Sequence, residues 1–144
     1  MDTDNLTSAQ KLALAGGVLA AVGAVLPWVS AGPFSASGID GDGMFTLVFG
    51  IAAGAIVLLR DWETMDILGV GLMGLLTLLI AGNTYNNLSS MGGATGGSNF
   101  TINLSAGLGL HLTLIAGILL IAAGVQGYRN DNSQPAQQQF ADSP

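Results

Sequence analysis

Four long apolar stretches, separated by polar segments, constrain this chain more than any other feature of its sequence. They predict membrane-spanning helices at about residues 10–29, 44–60, 66–82 and 104–127, because about 20 apolar residues in a helix cross the hydrocarbon core of a bilayer. Only 8% of the residues are charged, against about 25% in a typical soluble domain. We therefore expect residues 1–129 to form one membrane domain, an all-α antiparallel four-helix transmembrane bundle.

The first predicted span has signals at both of its ends. Thr7 and Gln10 have the spacing of a capping box, in which each side chain bonds the backbone of the other residue. Trp28 marks the far end, since Trp prefers the headgroup region of a membrane. Residues 29–31 also resemble a signal-peptidase site, so removal of the first span is an alternative. The acidic leader and the long apolar run favour retention of the span.

Two longer connections, at residues 30–43 and 83–103, are polar and rich in glycine. Residues 99–104 alternate between apolar and polar side chains, which is typical of a short strand. We expect this strand to pair in a hairpin-like manner with a second one around residues 34–39. The polar residues 130–144 show no apolar pattern, which predicts a disordered C-terminal tail.

The charged turn between the second and third spans indicates the orientation of the chain. The three basic residues are Lys11, Arg60 and Arg129, and a four-span topology places all of them on one side. Basic residues are retained on the cytoplasmic side of membranes. Both termini and the turn at Arg60 are therefore expected to face the cytoplasm or the interior of an envelope.

Asp40 and Asp42 are the candidate metal ligands, because calcium sites use aspartate oxygens around glycine turns. Two carboxylates supply too few ligands for such a site. We expect Asp42 to cap the second helix and Asp40 to form a local turn, and we expect no bound metal.

His111 is the one titratable side chain predicted to lie within the membrane. Such residues often mark ion or proton paths, which would make the chain a transporter or channel subunit. A proton relay needs partners, and the interiors of the spans contain no Asp, Glu, Lys or Arg. We expect a neutral imidazole that hydrogen-bonds to Thr77, Thr113 or a backbone carbonyl.

Asn87 and Asn99 begin N-glycosylation tripeptides in the predicted outer loop and are candidate acceptors. Small residues also recur on one face of each span, which favours close helix packing within the bundle or between copies of the chain. The positions that form these faces are Gly16, Ala20, Ala24, Gly50, Gly54, Gly69, Gly71, Ala123 and Gly127.

The composition restricts the classes of function. Nine acidic residues stand against three basic ones, with a net charge of -6 at pH 7. Strong salt screens acidic self-repulsion, so this excess indicates a halophilic archaeal origin and disfavours nucleic acid as a partner. The chain has no cysteine, which excludes thiolate metal sites. Paired polar groups for acid–base or nucleophilic chemistry are not found, so we expect neither an enzyme nor a cofactor.

The motif LPWVS at residues 26–30, followed by GIDGDGMFTL at 38–47, resembles a group of small four-span membrane proteins of haloarchaea and actinobacteria. This resemblance covers the first two spans and implies a four-span fold without a known activity. The layout is also similar to that of small membrane proteins of pleomorphic haloarchaeal viruses. It implies a structural or scaffolding protein of a cell or virion envelope. The expected partners are the lipid bilayer and further copies or another envelope protein. An outer-face binding module is the other alternative.

Overall fold

The computed structural model describes residues 5–91 and 104–141, and most of them are helical. Three short strands form one antiparallel sheet, and a 3-10 turn (Gly38–Asp40) leads into the second helix. The helices are α1 (Ser8–Val25), α2 (Gly43–Leu59), α3 (Thr64–Met91) and α4 (Leu108–Ala141). The strands are β1 (Pro27–Ala31), β2 (Phe34–Ser37) and β3 (Leu104–Ala106).

Each helix contacts two others: α1 and α3 both lie against α2 and α4. Three of the helices, α1, α3 and α4, are long and apolar enough to cross a membrane. The remaining helix, α2, is apolar but has only 17 residues. These lengths and compositions indicate a membrane-embedded protein.

Many large apolar side chains face outward on these helices, and small residues occupy the closest contacts between them, beside a few buried large ones such as Ile67, Leu110 and Leu120. On α1, Val18, Val22 and Val25 are 47–55% exposed, whereas Ala13 and Ala20 are fully buried. A protein in water buries its large aliphatic side chains and exposes polar ones. The reverse arrangement is stable in lipid, where small residues allow helices to approach closely.

The predicted capping box at the start of α1 is confirmed. Gln10 N donates to Thr7 Oγ1 at 3.2 Å, and Thr7 N donates to Gln10 Oε1 at 2.9 Å. The helix ends at Val25, before the predicted end at residue 29. Pro27 excludes the preceding residue from the helical conformation, and Leu26 is extended at φ -74°, ψ 161°.

Strand β1 lies in the centre of the sheet, between β2 and β3. Ala31 of β1 pairs with Phe34 of β2 and with Leu104 of β3. The two longer connections are therefore joined through β1, most of which was predicted to belong to the first span, and their strands do not pair directly as predicted. Of the strand predicted within residues 99–104, only Leu104 lies within the described residues.

Gly32 and Pro33 form the turn between β1 and β2. Gly32 has φ +59°, in the left-handed region that favours glycine. Proline holds φ near -65°, so the pair fits a type II′ hairpin turn, which places glycine first. A Cβ at Gly32 would meet nothing within 4 Å, so the backbone conformation is what requires glycine here.

Helices α3 and α4 both continue beyond their predicted spans. In α3, the hydroxyls of Ser89 and Ser90 donate to helix carbonyls at 2.8 Å, which satisfies polar side chains in a segment expected to be a loop. In α4, the helix runs to Ala141 and so enters the segment 130–144, for which the sequence predicts disorder. Ser133 Oγ donates to Arg129 O at 2.8 Å at the start of this extension.

Candidate functional site

An ion pair closes the turn between α2 and α3. Arg60 Nε lies 2.7 Å from Asp66 Oδ1, and Asp66 Oδ2 accepts from Glu63 N at 3.2 Å. Asp66 is 6% exposed and Arg60 is 58% exposed. The carboxylate also lies in the first turn of α3, where the helix dipole favours an anion. Arg60 therefore stabilises the turn, in addition to the topological role predicted from the sequence.

Trp62, within the same turn, has a left-handed backbone with φ +61°. This conformation costs a bulky residue about 1–3 kcal/mol. The indole packs against a buried cluster that includes Ala13, Val57 and Val70. Burial of the ring therefore offsets the backbone strain and joins the turn to α1, α2 and α3.

A cavity of about 270 Å³ opens beside this turn. Its lining combines Thr7 and Gln10 at the start of α1, Asp61 in the turn, and Asn130 and Asp131 of α4. The start of α1, the turn and the polar part of α4 therefore lie at one end of the helices. We call it the basic end, because Lys11, Arg60 and Arg129 belong to these same segments.

A hydrogen bond between side chains also connects α3 and α4 at the basic end. Thr64 Oγ1, in the first turn of α3, donates to Asp131 Oδ2. Asp131 is far from Thr64 in sequence, so this contact holds the polar extension of α4 against the start of α3. The extension thus has tertiary support that its composition does not reveal.

At the opposite end, which we call the sheet end, Trp28 is buried against α3 and α4. Its side chain is 3% exposed and belongs to a cluster with Ala81, Leu88 and Leu110. The indole Nε1 donates to Gly23 O at 2.9 Å. The indole N–H is thus satisfied within the protein, as a buried Trp requires. The position of Trp28 at headgroup depth stays a prediction.

The backbone around Trp28 leaves no space for side chains at two glycines. A Cβ at Gly38 would lie 2.4 Å from the indole Nε1, and one at Gly107 would lie 2.1 Å from Pro27 O. Gly107 N donates to Trp28 O at 2.7 Å, and Gly38 N donates to Leu26 O at 3.3 Å. The 3-10 turn and the start of α4 are therefore fixed to the end of α1. Sequence reasoning missed both glycines as parts of this site.

The two aspartates of the connection between β2 and α2 act locally. Asp40 Oδ2 accepts from Ser37 N at 3.0 Å and from Ser37 Oγ at 2.9 Å, which caps the 3-10 turn. Asp42 stands at the N-cap of α2 but makes no side-chain bond to the helix, and the predicted cap is not formed. Its backbone is already helical, whereas a capping side chain needs an extended backbone. Among the described residues, no group of three or more His, Cys, Asp or Glu could hold a metal ion.

His111 lies in the first turn of α4, because the helix begins at Leu108 and not at residue 104. Its side chain is exposed on the outside of the helices. Nδ1 lies 2.9 Å from Gly107 O, and the ring meets Tyr85 edge-on with a centroid distance of 6.1 Å. Of the predicted partners, the structure selects a backbone carbonyl.

Asn87 is exposed on α3 and not in a loop, and its backbone carbonyl accepts from Ser90 Oγ. Asn99 lies outside the described residues. Glycosylation at either position stays a prediction.

Small residues form the closest contacts between helices. A Cβ at Gly50 would lie 2.6 Å from Gly17 O, where α1 meets α2. A Cβ at Gly124 would lie 2.7 Å from Gly71 Cα, where α3 meets α4. Only some of the small residues predicted to mediate helix packing therefore lie at close contacts between helices. A Cβ would meet nothing within 4 Å at two of the predicted positions, Gly54 and Gly69.

The chain shows no match to protein-family models, to curated proteins or to solved structures. Its function is therefore inferred from the contacts described above.

Proposed function

We propose that the chain is a structural or scaffolding membrane protein, an antiparallel four-helix transmembrane bundle that acts by helix packing and assembly in the bilayer. One observation carries this proposal: many large apolar side chains face outward, while small residues fill the closest contacts between helices. The cyclic order of those contacts, in which each helix meets two others, supports a bundle. The lipid bilayer is its principal partner.

The described core favours packing over transport. Its buried polar residues are Thr46, Thr77, Thr113 and Asp66. Thr46 and Thr113 donate to carbonyls of their own helices at 2.8 Å, and Asp66 is paired with Arg60 in the first turn of α3. Thr77 Oγ1 is the one buried side-chain oxygen without a hydrogen-bond partner among the described residues, and a single hydroxyl does not make a path. A transporter or channel subunit needs a row of accessible polar groups, and His111 faces outward.

The two ends of the helices support one orientation. The basic end carries Lys11, Arg60 and Arg129, whereas the described residues of the sheet end, 26–43 and 104–111, contain no Lys or Arg. By the positive-inside rule, we place both termini and the turn at Arg60 on the cytoplasmic or interior side. The sheet then lies on the outer face.

The setting that we propose is a halophilic archaeal cell envelope or the envelope of a haloarchaeal virus. The acidic composition supports it, since nine acidic residues are tolerated most easily where salt screens their repulsion. The resemblance of the LPWVS and GIDGDG segments to small membrane proteins of haloarchaea and actinobacteria supports the cellular setting, and the similar layout of small membrane proteins of haloarchaeal viruses supports the viral one. Further copies of the chain or another envelope protein are the proposed protein partners, and neither catalysis nor a cofactor is assigned.

Reconstitution into liposomes tests this function. The protein should float with the vesicles and resist alkaline extraction, and it should leave a proton or sodium gradient as stable as in protein-free vesicles. An added ionophore is the positive control for the gradient. A flux that the protein causes and that His111→Ala abolishes would establish the transporter alternative and overturn the structural role.

A second candidate function, an outer-face binding module, is supported by the hairpin of β1 and β2. Phe34 is 77% exposed beside the turn, and β2 is an edge strand whose second side pairs with no other strand among the described residues. Exposed aromatic side chains and open strand edges are common recognition elements. Capture of an envelope protein by the wild-type chain, lost in a folded Phe34→Ser variant and retained in Ile39→Ser, would favour this candidate.

A further inference from the structure

A groove of about 470 Å³ runs along the surface of the protein where α3 and α4 meet. Gly71 and Gly124 line it where the two backbones nearly touch. Leu72 and Leu75 line it from α3. The lining is apolar except at the basic end, where Arg129 lies. The groove is therefore an apolar surface that ends at one cation.

A second groove, of about 670 Å³, lies along the other side of α4 and also reaches Arg129. Among the described side chains, α4 alone lines it. Ile121, Val125 and Arg129 line both grooves. These residues are four apart and form one row along the helix. The row is thus a ridge with a groove on each side. At the basic end, the second groove adds the amides of Gln126 and Asn130.

The dimensions of the ridge match one leaflet of a bilayer. Ile121 and Arg129 are eight positions apart, which corresponds to about 12 Å along a helix. The hydrocarbon core is about 30 Å thick, so each leaflet supplies about 15 Å. An acyl chain that begins near Arg129 and follows either groove therefore stays within the leaflet at the basic end.

Arg129 is available to an anion. It is exposed, and the only ion pair among the side chains described in residues 5–90 and 104–133 joins Arg60 to Asp66. Asp131, two positions further along α4, accepts from Thr64. Guanidinium binds phosphate through two parallel hydrogen bonds, which makes it more selective for phosphate than a point charge.

We propose that α4 binds one anionic phospholipid, with the phosphate at Arg129 and one acyl chain in each groove beside the Ile121–Val125 ridge. This site rests on the proposed membrane function, because the grooves meet lipid only when the helices span a bilayer. One apolar groove, and a second groove that is apolar toward Ile118 and polar toward Asn130, converge on one cation. This arrangement fits the acyl chains and headgroup of a diacyl lipid, whereas free phosphate would leave both grooves empty. Gln126 and Asn130 lie where they can bond the headgroup oxygens.

The charge of the headgroup is tested on the full chain in an uncharged detergent. Phosphatidylglycerol, phosphatidylcholine with the same acyl chains, and inorganic phosphate are titrated separately, with the melting temperature and the lipid adducts in native mass spectra as readouts. One phosphatidylglycerol should bind, and it should raise the melting temperature more than phosphatidylcholine does. Inorganic phosphate at the same concentration should have no effect.

Arg129→Gln should weaken phosphatidylglycerol binding about tenfold, or about 1.4 kcal/mol. Lys11→Gln is the matched control, because it removes the same charge at the same end from an exposed residue that lines neither groove. Equal losses in the two variants would show a general surface attraction and overturn the site. Equal binding of the two lipids by the wild-type chain, or an equal effect of inorganic phosphate, would also overturn it.

The grooves are tested by a second pair of variants. Leu75→Trp fills the inner end of the first groove and should weaken phosphatidylglycerol binding several-fold, whereas Leu79→Trp, one turn further along α3, lines neither groove and should not. Unchanged binding in Leu75→Trp would contradict the acyl-chain position. Flotation with liposomes separates the two hypotheses: failure to insert refutes the membrane function, while insertion without lipid preference refutes only this site.

Discussion

Gly50 and Gly54 lie one turn apart on α2, and alanine at the two positions should have opposite effects on stability. A Cβ at Gly50 would lie 2.6 Å from Gly17 O and 2.9 Å from Ala21 N, both backbone atoms of α1. A Cβ at Gly54 would meet nothing within 4 Å. The two substitutions add the same methyl group to the same helix, so their difference isolates the contact between α1 and α2.

The expected magnitudes follow from two opposing terms. Alanine is favoured over glycine in a helix interior by about 0.5–1 kcal/mol, and Gly54→Ala should gain up to that amount. Gly50→Ala gains the same propensity but must displace the α1 backbone, and overpacking of this kind costs about 1–3 kcal/mol. We therefore expect Gly50→Ala to be less stable than Gly54→Ala by about 1–3 kcal/mol, with the wild-type chain between them.

Unfolding in mixed micelles with increasing dodecyl sulfate, followed by far-ultraviolet circular dichroism and by tryptophan fluorescence, measures this difference. Gly69→Ala on α3 is a further control, since a Cβ there also meets nothing within 4 Å. If Gly50→Ala were as stable as Gly54→Ala, the close approach of α1 and α2 at this point would be refuted.

Three further predictions concern the ends of the helices. Arg60→Gln should lower the free energy of unfolding by about 1–3 kcal/mol, because it leaves the nearly buried Asp66 without its cation. This value lies between those for exposed and buried ion pairs. Arg60→Lys should recover part of the loss in the same micelle assay. Trp28→Phe should lower the free energy of unfolding by about 1–2 kcal/mol, since it removes the hydrogen bond to Gly23 O and part of a buried ring. A near-ultraviolet circular dichroism signal unchanged by this substitution would contradict the buried position of Trp28. Gly107→Ala should weaken the attachment of α4 to the sheet, measured as faster amide exchange in both, while unchanged exchange would contradict the contact.

The existence and order of the four helices could be predicted from the sequence because lipid exposure requires long apolar runs. Their ends could not be predicted equally well. Hydropathy identifies only the apolar part of a helix. The polar continuation of α3 to Met91 is therefore not visible in it. The same holds for the polar extension of α4, which the hydrogen bond between Thr64 and Asp131 supports. The true end of α1 had a local signal in Pro27, whose effect on the preceding residue outweighs the apolar character of the segment.

The candidate sites were predictable only in part, for a related reason. The grouping of the three basic residues at one end could be predicted, because successive spans alternate in direction. Lys11 lies at the start of the first span, Arg60 lies at the end of the second and Arg129 follows the fourth. The pairing of Arg60 with Asp66 depends on the path of the turn, including the left-handed backbone of Trp62, which the sequence does not encode in any recognisable motif. The central strand β1 depends on partners distant in the chain, so no local pattern identifies it.

The short length of α2 explains why the sheet end is so closely hydrogen-bonded. Its 17 residues extend about 26 Å, less than the hydrocarbon core of about 30 Å, so the 3-10 turn before it lies near the apolar boundary in the proposed bundle. Backbone groups at that depth must be satisfied within the protein. Gly41 N donates to Gly38 O at 3.0 Å, and Asp40 accepts from Ser37 N at 3.0 Å. The Asp40 carboxylate is thus the acceptor for the backbone N–H of Ser37. Its replacement by alanine should open the turn, while Asp40→Asn, which keeps a side-chain acceptor oxygen, should preserve it.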